Sequence, residues 1–221
     1  VVVVTGASSG IGGRLAAALA EHGADVVAVA RRAERLKVLV DDVNGAAEND
    51  ASTGDPDADA GGGRASAVVA DLVAAYRSEG GLARVANECI DSFGRVDAVV
   101  NCAGVNLREP WDKISPASWA EQLDLHLSVP FFLSREFVPG MEARGGGKII
   151  NIASLTSTRA MPDSLPYSTA KGGTVMLTKS MAEAWGPMGV TANNIAPGYF
   201  ETELTAPVFA DTERAAKLAA T

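Results

Sequence analysis

The most constraining feature of this sequence is a regular alternation between short apolar runs and stretches with helical periodicity. Such alternation is typical of βαβ units, in which crossover helices connect parallel strands. Runs of strand length lie at 1–4, 26–30, 67–70, 98–101, 148–153 and 190–195. Helical patterns separate them at 10–22, 32–43, 82–93, 119–141 and 167–185. With no internal repeat, the 221 residues predict a single α/β domain with a doubly wound parallel sheet flanked by helices.

Charge is distributed unevenly along the chain. The formal net charge is −8, and the segment 44–63 contributes five carboxylates with no lysine or arginine. Because this segment is also rich in glycine and other small residues, we expect a flexible acidic surface insertion. The acidic balance does not favour nucleic acid or an anionic membrane as a partner. No apolar run approaches the roughly 20 residues of a membrane-spanning helix, so we expect neither partner.

The cysteines and the chain ends bear on location. Cys89 and Cys102 have no metal-ligand or CxxC spacing, which favours a reduced, cytoplasmic protein without a metal site or a disulfide.

The chain starts inside an apolar, strand-like run at Val1 and finishes in a helical pattern without a stop signal. We therefore expect the C-terminal end of the domain to be missing and a targeting signal to be able to precede Val1.

A glycine-rich turn, TGASSGIG, lies directly between the first predicted strand and the first predicted helix. Backbone amides and the helix dipole at such a place can hold a pyrophosphate. Gly6 can adopt a turn conformation closed to other residues, Gly10 lets the backbone approach a phosphate, and Gly12 lets the helix pack close to the sheet. The turn predicts a Rossmann-type dinucleotide site, the alternative being a plain strand-to-helix turn. The predicted cofactor-binding residues of the turn are Gly6, Ser8, Ser9, Gly10, Ile11 and Gly12.

The end of the second predicted strand bears on which dinucleotide binds. An NAD-selective site places a carboxylate against the adenosine ribose there, whereas this chain has Arg31 and Arg32. Guanidinium groups suit the 2′-phosphate of NADP(H). We therefore predict NADP(H) as the preferred cofactor, with NAD(H) as the alternative. The other role open to the two arginines is to solvate the start of the next helix.

A tyrosine and a lysine, Tyr167 and Lys171, stand four residues apart in a predicted helix. This spacing places both side chains on one helix face, where an ammonium can favour a phenolate. Lowering a tyrosine pKa by about three units takes about 4 kcal/mol, which the ammonium and an oxidised nicotinamide can share. Ser154 ends the fifth predicted strand, at the sheet edge where doubly wound folds bind ligands. Each residue alone is typical of a surface or capping position, but together with the nucleotide turn they predict acid/base chemistry.

Five ordered motifs resemble the short-chain dehydrogenase/reductase family: TGASSGIG, NCAG, NIAS ending at Ser154, YSTAK and IAPGYFETE. The resemblance covers Val1 to about Thr205 and implies an NAD(P)-dependent oxidoreductase acting on CH–OH groups of a small-molecule substrate. It implies that Tyr167 donates or accepts the proton, that Lys171 holds the nicotinamide ribose and lowers the tyrosine pKa, and that Ser154 orients the substrate. It also implies further cofactor-binding positions: Asp71 and Leu72 beside the adenine, Asn101, Ala103 and Gly104 along the groove, and Pro197, Gly198 and Thr202 at the nicotinamide end.

One position departs from the family pattern. Members usually have an asparagine in the central helix, twenty-eight residues before the serine, that helps to hold a water of a proton relay; here the residue is His126. Because imidazole can also hold water and relay protons, His126 joins the candidate catalytic residues. The alternative is a structural histidine packed against the neighbouring helix.

The residues that follow two strand ends bear on the substrate. We expect 155–159 and the pair Tyr199 and Phe200 to line the pocket, with Arg159 as a candidate carboxylate partner. The stretch PGYFETELTAPVFAD is similar to that of gluconate 5-dehydrogenase-like members, which implies a polar, sugar-like or sugar-acid substrate. The alternatives are a 3-oxoacyl thioester reductase and a non-catalytic NADPH-binding scaffold. Apolar residues on more than one face of the long helices 119–141 and 167–185 favour a homodimer or homotetramer, and family members pair through these helices.

Overall fold

Six parallel strands form the centre of the structure, a computed structural model that describes residues 1–53, 62–203, 205, 206 and 210. The sheet has the order β3-β2-β1-β4-β5-β6, which confirms the predicted doubly wound topology. Because β1 and β4 are neighbours in space but not in sequence, a crevice opens beyond their carboxyl ends, where such folds bind ligands. The strands are β1 (Val2–Thr5), β2 (Val26–Ala30), β3 (Ala65–Val69), β4 (Ala98–Asn101), β5 (Gly147–Ile152) and β6 (Val190–Ile195).

Helices cover both faces of the sheet. The long predicted helix 119–141 is present as α5 and α6, joined without a break by a π-helical turn at Asp124–Ser128. The short helix α3 was not predicted, and Asp71 caps it by accepting hydrogen bonds from the backbone amides of Val73 and Ala74. The helices are α1 (Gly10–Glu21), α2 (Ala33–Thr53), α3 (Leu72–Arg77), α4 (Gly81–Phe93), α5 (Pro116–Leu123), α6 (Val129–Ala143) and α7 (Leu165–Trp185).

Helix α2 differs from the prediction because it runs to Thr53. The prediction ended this helix near Val43 and assigned 44–63 to a flexible insertion, so the first ten residues of that segment are helical instead. The Asn44 side chain shows one cause: its Nδ2 donates to the Ala65 carbonyl oxygen at 3.1 Å, and its Oδ1 accepts from the Ala65 amide at 2.8 Å. The pairing ties α2 to the start of β3. Residues 54–61 of the predicted insertion lie outside the described residues.

The core has two sides because strand side chains alternate between the faces of the sheet. Val3, Val99 and Ile149 point to the side of α4, α6 and α7, whereas Val4 and Val100 point to the side of α1 and α2. All of these side chains are almost fully buried, and burying each one contributes roughly 1.5–3 kcal/mol. The apolar cores on the two faces of the sheet therefore fix the positions of the strand ends and of the crevice beyond them. Within the described residues, no helix is both long enough and apolar enough to cross a membrane.

Candidate active site

A cleft of about 650 Å³ occupies the crevice at the carboxyl edge of the sheet. It brings together Ser154, Tyr167, Lys171 and His126, the four candidate catalytic residues. Every predicted cofactor-binding residue except Asn101 also lines it, including Gly104 and Pro197 from two different strand ends. The cleft thus gathers residues from the first turn of the chain to the segment after β6. Its predicted lining comprises Gly6, Ser8, Ser9, Gly10, Ile11, Gly12, Arg31, Arg32, Asp71, Leu72, Ala103, Gly104, Tyr167, Lys171, Pro197, Gly198 and Thr202.

Asn101 is a correction to the prediction, because its side chain does not line the cleft. The amide is buried and its Nδ2 donates to Ser134 Oγ at 3.0 Å and to Asn151 Oδ1 at 2.8 Å. The side chain therefore points to the α6 layer, as alternation along β4 requires for the residue after Val100. Asn101 bridges β4 to β5 and α6 and does not offer its amide to a ligand in the cleft.

The glycine-rich turn leaves no room for side chains at two positions. Gly6 has a φ of +74°, and a Cβ there would lie 2.8 Å from the Ala103 Cα atom. A Cβ on Gly12 would lie 2.5 Å from the Gly6 carbonyl oxygen. The first turn of α1 therefore packs directly on the loop, and its free backbone amides face the cleft where a phosphate can approach.

The two predicted arginines take different positions. Arg32 reaches into the turn, where its Nε donates to Ser8 Oγ at 3.0 Å and its Nη2 donates to Ser9 Oγ at 2.5 Å. Arg31 turns the other way, and its Nη1 lies 3.5 Å from Asp71 Oδ2. Arg32 therefore shares its corner of the cleft with the two serines, while Arg31 stands beside the α3 cap.

A carboxylate from the segment after β6 meets Arg32 at the same corner. Glu203 Oε2 accepts from Arg32 Nη1 at 2.8 Å, and its Oε1 accepts from Arg35, one helical turn further along α2. These hydrogen bonds lower the pKa of the Glu203 carboxyl to about 2. The neighbouring Thr202 comes within 3.4 Å of the place where a Cβ on Gly10 would lie. Neither Arg35 nor Glu203 was predicted, because their meeting depends on how the segment crosses the cleft.

Tyr167 and Lys171 share one face of α7, as their spacing predicted. Lys171 Nζ lies 5.7 Å from the centre of the Tyr167 ring and donates to the Ile152 carbonyl oxygen at 2.5 Å. The lysine side chain is only 6 % exposed. This burial lowers the pKa of its amine to about 8.

The pKa of Tyr167 is raised above its ordinary value, mainly because the phenol is buried. Hydrogen bonding with Ser154 lowers this pKa most, and the charge of Arg108 lowers it next. The resemblance implied that Lys171 lowers the pKa, but the groups that oppose burial most in the structure are Ser154 and Arg108. The Tyr167 phenol is therefore held neutral at neutral pH and is suited to donate a proton.

Ser154 is fixed at the end of β5 by the short 3₁₀ turn that follows it. Its Oγ accepts from the Thr156 amide at 3.1 Å and from Thr156 Oγ1 at 3.0 Å. The Ser157 hydroxyl receives a hydrogen bond from the Ser154 amide and donates to the Lys171 carbonyl oxygen at 2.8 Å. These bonds connect the strand end to α7, so Ser154 and Tyr167 keep a fixed relative position.

His126 lies in the π-helical turn, with its ring edge-on to Tyr167 at a centroid distance of 5.2 Å. Its Nε2 lies 2.8 Å from the Val105 carbonyl oxygen, and its Nδ1 has no hydrogen-bond partner among the described residues. Burial, followed by the charge of Lys171, lowers the pKa of the imidazole to about 3. The ring is therefore neutral near pH 7, and its Nε2 meets both the carbonyl oxygen and the amide of Val105, the amide at 3.3 Å.

A smaller cavity of about 60 Å³ adjoins Ser154 and Tyr167. Arg108 lines it with a φ of +51°, and its buried Nε has no hydrogen-bond partner among the described residues. Of the predicted pocket residues, Leu155, Thr156 and Tyr199 line this cavity and Phe200 lines the larger cleft, whereas Ser157, Thr158 and Arg159 line neither. Arg159 is exposed, so the structure does not bring the predicted carboxylate partner to either cavity.

Metal binding and thiol chemistry are the other candidate chemistries in the described part of the chain. There, no cluster of three or more histidine, cysteine or carboxylate side chains could hold a metal ion. Cys89 and Cys102 are not joined in a disulfide, and burial raises the pKa of their thiols to about 12 and about 11. Both thiols are therefore protonated near pH 7 and are poor nucleophiles.

Sequence and structure comparisons agree with this geometry. The model of the short chain dehydrogenase family matches residues 1–213. The chain is 36% identical over 211 residues to gluconate 5-dehydrogenase of Gluconobacter oxydans, covering 96% of this chain and 75% of that protein. It is 32% identical to a 3-oxoacyl-[acyl-carrier-protein] reductase of Vibrio cholerae, covering 99% of this chain and 80% of that protein.

Two crystal structures provide the corresponding structural likeness. A putative NAD(P)-dependent gluconate 5-dehydrogenase from Beutenbergia cavernae, with bound NADP, superposes with a TM-score of 0.84 at 38% identity, over 99% of this chain and 80% of that chain. A gluconate 5-dehydrogenase from Burkholderia cenocepacia, in complex with NADP and tartrate, gives a TM-score of 0.80 at 34% identity, over 96% of this chain and 76% of that chain. By its matched family model, its relatives and its fold, the chain belongs to the short-chain dehydrogenase/reductase family of NAD(P)-dependent oxidoreductases.

Proposed function

We propose that this chain is an NADP(H)-dependent oxidoreductase that interconverts a carbonyl and a secondary alcohol on a polar, sugar-like or sugar-acid substrate. One observation carries the proposal. The Tyr167 phenol, the Ser154 hydroxyl and the Lys171 amine converge in the same cleft that the glycine-rich turn and Arg32 also line. A nucleotide site and an acid/base group therefore share one continuous space, which is the arrangement that hydride transfer to a carbonyl requires.

The cleft fits a dinucleotide on two grounds. The backbone at Gly6 and Gly12 leaves no space for side chains, which allows a pyrophosphate to approach the start of α1. Arg32 stands with Ser8 and Ser9 and offers donors of the kind that a 2′-phosphate accepts. Relatives crystallised with NADP support a preference for NADP(H) over NAD(H). When bound, the nicotinamide supplies or accepts the hydride, and we assign residues 1–221 to this one NADP(H)-binding domain.

The chain's own residues would handle the proton. In reduction, the Tyr167 phenol donates its proton to the oxygen of the substrate carbonyl, a role that suits a phenol whose pKa is raised by burial. In the reverse direction the phenolate must form, and Ser154 and Arg108 favour it. Ser154, fixed by Thr156, orients the substrate oxygen. We keep His126 as a candidate to hold a water, because its neutral ring lies beside Tyr167 and its Nδ1 has no partner among the described residues.

Arg108 supports a substrate that carries a carboxylate. It lines the cavity beside Ser154 and Tyr167, and a buried guanidinium nitrogen with no hydrogen-bond partner in the described part of the chain favours an anionic ligand. Asn106, Thr156 and Ser164 make the same cavity polar. A relative crystallised with tartrate is consistent with a substrate that carries a carboxylate. The alternative, a 3-oxoacyl thioester reductase, is favoured by the Vibrio cholerae relative but would need an apolar channel.

The experiment that tests the acid/base assignment is Tyr167→Phe, assayed with NADPH and a panel of keto-sugar acids, keto-sugars and oxoacyl thioesters. We expect turnover to fall by roughly 100-fold or more, because a positioned general acid contributes about 10²–10⁴-fold. Tyr199→Phe is the matched control, since this second phenol also borders the small cavity, and it should retain turnover within about tenfold. Equal turnover of Tyr167→Phe and the parent would disprove the assignment. NADPH binding without oxidation across the panel would favour the non-catalytic scaffold.

Two further parts of the proposal concern assembly and location. Leu165 and Met176 on α7 are 47% and 61% exposed, and apolar side chains on a helix surface favour burial against another subunit. We propose a homodimer or homotetramer, to be checked by the mass of the protein in sedimentation equilibrium.

We also propose a cytoplasmic, reducing location, which the two free thiols of Cys89 and Cys102 support.

A further inference from the structure

Glu203 occupies the corner of the cleft to which the proposed function assigns the 2′-phosphate. Its carboxylate accepts one hydrogen bond from Arg32, at 2.8 Å, and another from Arg35. The other nitrogens of Arg32 donate to Ser8 and Ser9, at 3.0 and 2.5 Å. Two guanidinium groups that could bind a phosphate at this corner, those of Arg32 and Arg35, therefore already hold an anion that the chain itself supplies.

This contact differs from an ordinary surface ion pair. Isolated exposed pairs contribute little, whereas a network in which several cations share one anion can contribute more. Here two guanidinium groups, from Arg32 just before α2 and from Arg35 in its first turn, hold a single carboxylate that is 171 and 168 residues away along the chain. The same segment places Thr202 against Gly10. Glu203 therefore holds the segment after β6 across the glycine-rich turn.

We propose that Glu203 is a cofactor-specificity residue: its carboxylate competes with the 2′-phosphate of NADP(H) for Arg32, and NAD(H) binds without this competition. The inference rests on the proposed function for the identity of the nucleotide. A phosphomonoester carries a charge of about −1.5 to −2 and three acceptor oxygens, which exceed what one carboxylate offers. NADP(H) therefore displaces Glu203, while NAD(H), which has no 2′-phosphate, leaves the ion pairs in place.

The competition also gives the two nucleotides different effects on the chain. When the 2′-phosphate takes the place of Glu203, the segment around Thr202 and Glu203 loses its attachment to α2. When NAD(H) binds, the attachment stays. Glu203 thus lowers the apparent affinity for NADP(H) by the free energy of its own pairing, because a ligand must first displace the internal carboxylate.

The test compares Glu203→Gln with the parent by calorimetric titration with NADPH, NADH and adenosine 2′,5′-bisphosphate. We expect Glu203→Gln to bind NADPH and the bisphosphate about three- to tenfold more tightly, and NADH within about twofold of the parent. Glu201→Gln is the matched control, because Glu201 is an exposed carboxylate two residues earlier in the same segment. Glu201→Gln should change the affinity for each of the three ligands by less than about twofold.

The same titrations in an Arg32→Gln background complete a double-mutant cycle. There the Glu203 substitution should change NADPH affinity less than it does with Arg32 present, because the group for which the carboxylate and the phosphate compete is gone and only Arg35 remains paired with Glu203. Unchanged NADPH affinity in Glu203→Gln, an equal gain for NADH, or an undiminished gain without Arg32 would each overturn the inference. A failure of the proposed function gives a different result: no substrate of the panel is turned over, while the affinity pattern of the variants remains.

Discussion

Arg108 shows how the position of a single charge depends on backbone conformation. Its positive φ of +51° turns the side chain toward the small cavity beside Tyr167, although a left-handed conformation is unfavourable for a residue with a Cβ. Arg159 follows the strand end that carries Ser154, yet it is exposed and lines neither cavity. Distance along the chain from Ser154 is therefore a poor guide to which arginine faces the substrate.

The two arginines provide a matched test of the proposed substrate class. Arg108→Gln should raise the KM for a keto-sugar acid roughly 10- to 100-fold, since a hydrogen bond to a charged group contributes about 1.5–3 kcal/mol. The KM for a neutral keto-sugar should change by less than about threefold. Arg159→Gln should leave both values within about threefold of the parent. Equal losses on the acidic and the neutral substrate in Arg108→Gln would contradict carboxylate recognition by Arg108.

The turn glycines, Ser154, Tyr167 and Lys171 were predictable because strand ends and helix spacing bring them together. Arg35 and Glu203 meet across about 170 residues, and local patterns carry no information on such a contact, which depends on how separate elements pack. Asn101 was misplaced for a different reason: strand alternation along β4 turns its side chain away from the cleft, and the prediction did not apply it.

At the scale of elements, the π-helical turn between α5 and α6 positions His126 against the loop after β4. A Cβ on Gly104 would lie 2.8 Å from the imidazole Cε1 atom, so the loop and the turn leave no space for a methyl group. A π-helical turn inserts a residue into the helical repeat and is frequent at functional sites. Here it brings a buried imidazole to the side of the reactive phenol.

This close packing predicts coupling between Gly104 and His126. Gly104→Ala should lower the free energy of unfolding in urea by roughly 1–3 kcal/mol, the usual cost of overpacking. In the His126→Asn background the same change should cost measurably less, because a shorter side chain leaves room for the methyl group. Gly186→Ala, at a helical position with no atom within 4 Å of the added Cβ, should not be destabilising. Equal costs of Gly104→Ala in both backgrounds would show that the two residues are not coupled.

Three strands were predicted with their exact bounds, β2, β4 and β6. In β2 and β4 the continuous apolar runs end where burial ends, whereas the burial of β6 alternates along the strand. The six residues of α3 are too few for a helical period to show in the sequence. The extension of α2 to Thr53 was missed because its composition resembles a solvated segment, while Asn44 attaches it to β3.

At the scale of the whole molecule, burial of His126 makes the stability depend on pH. The pKa of its imidazole is lowered from 6.5 to about 3, so below about pH 6.5 the unfolded chain binds a proton that the folded chain does not. Stability should therefore fall as pH decreases from about 6.5 toward about 3. By pH 5 this single group removes about 2 kcal/mol.

Urea unfolding at pH 7, 6 and 5 tests this dependence. The loss of stability between pH 7 and pH 5 should be about 2 kcal/mol smaller in His126→Asn than in the parent, whatever the absolute stability of the variant. His22→Asn is the control, because His22 is an exposed residue at the C-terminal end of α1. This variant should keep the parent's dependence of stability on pH. If the free energy of unfolding changed with pH by the same amount in His126→Asn and in the parent, His126 would not be the origin of the acid sensitivity.

The cleft is lined by residues from Gly6 to Thr205, and this span has a consequence for biosynthesis. During translation, the turn that would cradle a phosphate emerges from the ribosome first, and the segment that lies over it emerges almost 200 residues later. A nascent chain can therefore form early βαβ units but cannot complete the nucleotide pocket until the last of these residues is released. Nucleotide capture should accordingly report on the folding of the whole domain, and the ligand would stabilise distant strands only after synthesis has passed that point.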